Sequence, residues 1–170
     1  NIAVFMGWPI EESVRCNAPG GPYCSENGIK VEVLNEGSTT HTAKDSAETH
    51  GIELNRIVKS LLVKVGDEFM VFLVPGDKRL DFKYLEKRFG TKDVRMANAN
   101  EVKDVTGYSI GGVPPFGYKT ELKTYIEDGF PKEGELLAAA GREDSVFRVS
   151  LVKLGKYVEV EPRTNVVVTT

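Results

Sequence analysis

Residues 57–65, IVKSLLVKV, and 69–74, FMVFLV, are two apolar runs held apart by a turn at Gly66-Asp67, the pattern of a β-hairpin. Alternation puts Ile57, Lys59, Leu61 and Val63 on one face of the first run. Both faces are candidates for burial, and burial of both would make this run a central strand. Lys59 is then a charge among apolar neighbours. An ammonium costs several kcal/mol to bury without compensation, so Lys59 either snorkels to an edge with its stem packed or meets an anionic or oxygen-rich ligand. Lys64, beside the turn, is solvent-facing.

Around the hairpin, KVEVL (30–34) reads as a strand, and TAKDSAETHG (42–51) as a helix opened by a Thr40 or Thr42 cap and stopped at Gly51. Asp81 caps a short helix through Phe89, with Leu80, Tyr84, Leu85 and Phe89 toward the core and Lys83 and Lys87 together on another face. Asn98 followed by Glu101 is a capping box before a second short helix that ends near Gly107. TYI (124–126), VFRVS (146–150) and YVEV (157–160) are further strand candidates. Strands and helices mix without a regular βαβ alternation. The expected fold is a single compact α+β domain, a mostly antiparallel or mixed sheet with flanking short helices and no internal repeat.

At 170 residues, with 41% hydrophobic and 28% charged residues, the chain has the length and composition of one globular domain. Its opening segment NIAVFMGWPI is too short to span a bilayer and lacks the basic residues that precede a secretion signal, so a cytoplasmic protein without a membrane partner is expected. A net charge of −3 argues against coating DNA or RNA by electrostatics alone. The charge is uneven: Lys78 to Arg95 holds seven basic residues against three acidic ones. Such a run is either a solvated helix face or the footprint of a partner engaged in one place.

Cys16 and Cys24 bracket a Gly/Pro-rich loop; in a reducing cytosol they are expected as thiols rather than a disulfide. A thiol enzyme built on Cys16 or Cys24 is the remaining alternative. With His41 and His50 the only histidines, no metal site is expected. There is no Walker loop or dinucleotide fingerprint, so no cofactor is expected either.

The stretch GGVPPFGY (111–118) is a stiff, bare loop. The N–H groups of Gly111, Gly112 and Val113 can face a ligand, whereas Pro114 and Pro115 donate nothing. The loop is therefore a plain tight turn or a cradle for a phosphate, a sugar or a carbonyl oxygen. Glu127 and Asp128, after TYI, are either the acids of a site or a solvated strand end.

Taken in order, THTAKDSAETHGI (40–52), RIVKSLLV (56–63), FLVPGDKRLD (72–81) and TGYSIGGVPPFGY (106–118) resemble the YbaK/prolyl-tRNA editing-domain family, from about Lys30 to about Leu154. Residues 1–29 fall outside the alignable part, so the expected organisation is an N-terminal extension packed on an editing-like domain of residues 30–170. The resemblance implies a freestanding trans-editing deacylase that hydrolyses the ester of a mischarged aminoacyl-tRNA. Lys59 matches the family's required lysine. Gly111, Gly112, Val113 and Pro115 match its G-x-x-x-P loop, and His41, Thr42 and Glu127 join the substrate-binding set. The family usually has Asp where this chain has Glu127.

Relatives that clear alanine from proline tRNA carry a His-Pro segment after the strand corresponding to TYI. This chain reads EDGFPKEGELLAAAG there, which favours the YbaK-like branch, with Cys-tRNA(Pro) or a similar small-residue mischarged tRNA as substrate. The implied partners are the acceptor end of that tRNA and a tRNA synthetase; on charge alone, the basic run from Lys78 to Arg95 is a candidate to hold the acceptor stem's phosphates. The competing reading is a non-catalytic module of the same fold that binds an aminoacyl or nucleotide end, or a protein.

Overall fold

The computed structural model describes residues 32–35, 42–142, 145–157 and 168–169. In chain order these form β1 (Glu32–Asn35), α1 (Ala43–His50), a 3-10 turn (Leu54–Arg56), β2 (Ile57–Val65), β3 (Glu68–Pro75), β4 (Arg79–Leu80) and α2 (Phe82–Phe89). There follow β5 (Val94–Met96), α3 (Ala99–Thr106), β6 (Lys123–Ile126), β7 (Glu135–Ala139), β8 (Ser145–Ser150), α4 (Leu151–Tyr157) and β9 (Val168–Thr169).

The hairpin forms as its sequence dictates and is the centre of the molecule. β2 and β3 pair antiparallel from Val58 opposite Pro75 to Val65 opposite Glu68. The Ile57 carbonyl accepts from the Gly76 N–H at 2.9 Å. In an antiparallel ladder this sets the phase: odd-numbered residues of β2 direct their backbone groups at β3, and even-numbered ones at the opposite edge. Pro75, which has no N–H, falls opposite Val58 in a position where none is required of it.

The sheet runs in the order β1-β8-β7-β2-β3-β6, with β5 also on β2. β2/β7 and β3/β6 are parallel pairs and the rest of this sheet is antiparallel, the mixed arrangement expected. On one face Val58, Leu62, Val71 and Leu73 pack with Val102 of α3 and with Val113, Phe116 and Phe147. On the other, Val63, Met70, Phe72 and Val74 meet Leu80, Leu85 and Tyr125. Val71, Val74 and Leu73 are fully enclosed, and each such side chain contributes about 1.5–3 kcal/mol. α1 covers a third cluster of Ala47, Ile57, Leu137 and Val146.

Local signals set the helix ends. Thr42, not Thr40, opens α1 through a capping box with Asp45, each backbone N–H meeting the other's side chain at 3.1 Å. Asn98 and Glu101 make the second box, and the Asp81 carboxylate accepts from the Tyr84 N–H at 3.1 Å.

One expectation is corrected, and one strand is added. YVEV does not open a strand at Tyr157: that residue ends α4, and 158–160 lie outside the described residues. Ser150 accepts from the Lys153 N–H at 3.2 Å and caps this helix, while Leu154 is fully buried and Leu151 partly so. ELLAA, unassigned from sequence, is β7, with Leu136, Leu137 and Ala138 buried. Its alanines carry little strand preference, so burial between β2 and β8 decides its conformation.

Residues 1–29, with Cys16 and Cys24, lie outside the described residues, as does His41. Among the described residues no helix is long and apolar enough to cross a membrane, and no group of His, Cys, Asp or Glu is placed to hold a metal ion.

Candidate functional site

Among the described residues β2 lacks a continuous neighbour on its second edge. β7 accompanies it only at Ile57 and Val58, and β5 only from Val63 to Val65, with one further bond from the Ala97 N–H to the Leu62 carbonyl. The interruption opens onto a cavity of about 250 Å³. Residues from both faces of β2 line it, Ile57, Lys59 and Leu61 from one and Val58, Ser60 and Leu62 from the other. Thr42, Ala43 and Ser46 contribute from the start of α1, and Ile110, Gly111 and Val113 from the loop after α3.

Lys59 is half-buried in this wall, and its Nζ donates to the Lys78 carbonyl. Burial holds its pKa below the ordinary lysine value; Arg79 pushes it further down and Asp77 opposes them. With one N–H given to Lys78, an ammonium retains two donors. Neither a fully solvated edge lysine nor a buried ion pair describes this side chain.

Each glycine of the 111–112 pair answers a separate demand. The Gly112 N–H donates to the Ser109 carbonyl at 3.0 Å, closing a turn in which Gly111 has φ of 90°. A positive φ at the third position of a turn is where glycine is favoured. Gly112 instead lies against the backbone of Arg142, where an added Cβ would come within 2.9 Å. The expectation that Gly112 offers its N–H to a ligand is therefore corrected, since that donor is already in use. Gly111 and Val113 remain on the cavity, while Pro115 is buried outside its lining.

Glu127 stands outside the lining as well. Burial raises its pKa, with backbone bonds from Asp128 and Gly129 and the Lys78 charge pulling it down and the Asp128 charge pushing up. One carboxylate oxygen, Oε2, is buried without a partner. Lys78 thus touches on both ionisable groups: its carbonyl receives Lys59, and its positive charge lowers the Glu127 pKa slightly.

Of the predicted residues, the fold brings Lys59, Thr42, Gly111 and Val113 to one cavity. Sequence reasoning missed Ser46, Ser60, Met96 and Ile110, which also line it. The spacing of Thr42 and Ser46, four residues apart at a helix start, was the available signal for Ser46. Nothing local marked Ser60. The basic run is partly spoken for: Arg88 lies 5.5 Å from the ring centres of both Phe89 and Tyr125, and Arg95 grips Glu101 at 2.7 and 2.9 Å. Lys83, Lys87 and Lys92 remain exposed.

The fold and cavity together define a mixed α+β domain with a lysine-bearing pocket at an interrupted central strand. A sequence model of the aminoacyl-tRNA editing domain matches residues 38–157. YwhH of Bacillus subtilis is 32% identical over 121 residues, which cover 71% of this chain and 76% of that protein. EbsC of Enterococcus faecalis, provisionally named a Cys-tRNA(Pro)/Cys-tRNA(Cys) deacylase, is 36% identical over 103 residues, 59% of this chain and 62% of EbsC. A proline–tRNA ligase of Macrococcus caseolyticus is 28% identical over 150 residues, only 26% of the ligase. A crystal structure provisionally described as a trans-editing enzyme for prolyl tRNA synthetase superposes with a TM-score of 0.78 at 30% identity, over 92% of this chain and 98% of that one. The chain belongs to the aminoacyl-tRNA editing domain family.

Proposed function

We propose that this domain is a trans-editing deacylase that hydrolyses the ester of a mischarged aminoacyl-tRNA in the cavity beside β2, with Lys59 as the catalytic residue. The observation that carries this reading is the meeting of Lys59 with the Gly111–Val113 segment on one cavity, from distant parts of the chain.

Water attacks the ester carbonyl carbon, negative charge develops on the carbonyl oxygen, and the bond to the ribose oxygen breaks as that oxygen takes up a proton. The Lys59 ammonium and the N–H groups of Gly111 or Val113 stabilise the developing charge. The neighbouring ribose hydroxyl orients the water, so no protein nucleophile is required. Editing of this kind destroys products that a synthetase pocket cannot reject by size alone.

A small aminoacyl group suits a cavity of about 250 Å³ walled by Val58, Leu62, Ala97 and Ala138. Cys-tRNA(Pro) is the substrate we favour, supported by the EbsC relative and by the absence of a His-Pro segment after β6. Action in trans is supported by the structural relative, which is itself described as a trans-editing enzyme. A tRNA synthetase is the implied functional partner, and we assign the acceptor stem's phosphates to the exposed lysines of α2 on their charge and exposure.

The test is deacylation of proline tRNA charged with Cys, Ala or Pro, and of several cognate pairs, by the native protein and Lys59→Ala. Turnover of one or a few mischarged pairs, lost in the variant, is expected. Saturable binding without product from any pair would replace this reading with a non-catalytic binding module.

A further inference from the structure

We propose that the unpaired main chain of Ser60 recognises the free α-ammonium and the carbonyl of the aminoacyl group, in the manner of one residue of an added strand. This deepens the proposed function and rests on its reading that the cavity receives an aminoacyl end.

The ladder phase of β2 places Ser60 among the residues whose N–H and C=O point away from β3. Val58, two residues earlier, is paired with β7, and Leu62, two residues later, accepts from Ala97. Ser60 falls between them. A continued parallel ladder would give its N–H the Ala139 carbonyl, but β7 ends at Ala139 and the pairing stops at Ala138. Among the described residues neither backbone group of Ser60 has a partner, and the residue lines the cavity. Its hydroxyl is also buried and unpartnered. The Tyr118 phenol, pushed up by burial and by Tyr108, feels Ser60 as a neighbour, yet the two oxygens do not complete a bond of ordinary geometry.

Unpaired backbone groups in the middle of a sheet are rare, because each gives up hydration for nothing unless a ligand restores the bond. An adjacent acceptor and donor on one residue match the donor and acceptor that every α-amino acid ester carries. The Ser60 C=O accepts from the α-ammonium and its N–H donates to the ester carbonyl, the hydrogen bonding of strand addition. The amino-acid side chain takes no part in these two bonds, so size selection falls to the apolar walls. Esters with a blocked amine, including N-acylated and peptidyl forms, are excluded.

The experiment compares tRNA carrying alanine, N-acetylalanine and lactate, which keeps the size and replaces the ammonium by a hydroxyl. Each enzymatic rate is divided by that ester's spontaneous hydrolysis, since the ammonium itself activates the ester. The expected result is a kcat/KM lower by roughly 10- to 100-fold for both analogues, the loss of a charge-assisted hydrogen bond. Equal normalised rates for all three would overturn the inference and leave the deacylase reading standing.

Should no ester be turned over, the deacylase reading fails. The inference is then decided by binding of 3′-deoxy-3′-(alanylamino)adenosine to 15N-labelled protein. A shift of the Ser60 amide resonance with this amide, absent with its N-acetyl form, supports it; the same response to both overturns it.

Discussion

Gly112 packs against the backbone of Arg142 so closely that a Cβ would sit 2.9 Å from the Arg142 Cα. The loop that carries Gly111 and Val113 to the cavity is thereby seated on the segment that follows β7. Gly112→Ala forces the two backbones apart, an overpacking cost on the order of 1–3 kcal/mol. Because Gly111 moves with its neighbour, kcat/KM is expected to fall by up to about 100-fold. Gly155→Ala is the contrast: its Cβ meets nothing within 4 Å and the site is helical, so stability should rise by about 0.4–1 kcal/mol with activity unchanged. Denaturant titration and deacylation rates on both variants check this.

The proposed catalytic role of Lys59 comes at some expense to stability. Burial disfavours its charged form, so its folded pKa lies below its unfolded value. Between those two values the unfolded chain binds more protons, and native stability from this group rises with pH. Lys59→Met should therefore fold with a Tm no lower than the native protein at pH 7 while losing deacylation. The difference between the two should shift toward the native protein as pH climbs through the depressed lysine pKa. A Met variant that melts well below the native protein would show that the bond to the Lys78 carbonyl outweighs desolvation.

The exposed lysines of α2 give a salt-dependence experiment. Lys83→Glu with Lys87→Glu removes two cations from a surface where Arg88 and Arg95 are already occupied by Tyr125 and Glu101. If both lysines meet phosphates, tRNA binding weakens and the slope of log K against log salt falls by about 1.8. An unchanged slope would return this helix to ordinary solvated surface.

Glu101 reports on acid stability. The Arg95 hydrogen bond and the Asn98 backbone hold its pKa at about 2, down from 4.5. A depressed carboxylate stabilises the fold above its unfolded pKa, and that contribution is lost as pH falls toward the folded one. Glu101→Gln keeps an acceptor for the capping box but removes the charge. The variant's stability should depend less on pH between about 4.5 and 2 than the native protein's, as read from denaturation midpoints across that window.

Much of the fold was legible because it rests on local rules. The β2/β3 hairpin, the capping boxes at Thr42 and Asn98, and the amphipathic helix after Asp81 each carry their information within a few residues. β7 and α4 were not legible. LLAAA has no strand preference of its own, and LVKLGKY contains a glycine, so each takes its form from what it is packed against. The same division runs through the site. Lys59 stood out as a charge in an apolar run, and Gly111 and Gly112 by composition, whereas Ser60 is unremarkable in sequence.

By itself, then, the sequence determined a mixed α+β domain, its helix ends, and the lysine and glycine loop that mark it as an editing domain, because caps, turns and alternation act over neighbouring residues. Tertiary structure alone decided that β7 and β5 leave a gap on one edge of β2, that the Gly111 loop lines the cavity there, and that the Gly112 N–H is spent within its own turn. Those outcomes depend on the register between strands far apart in the chain, and register is set by which apolar faces can be buried together.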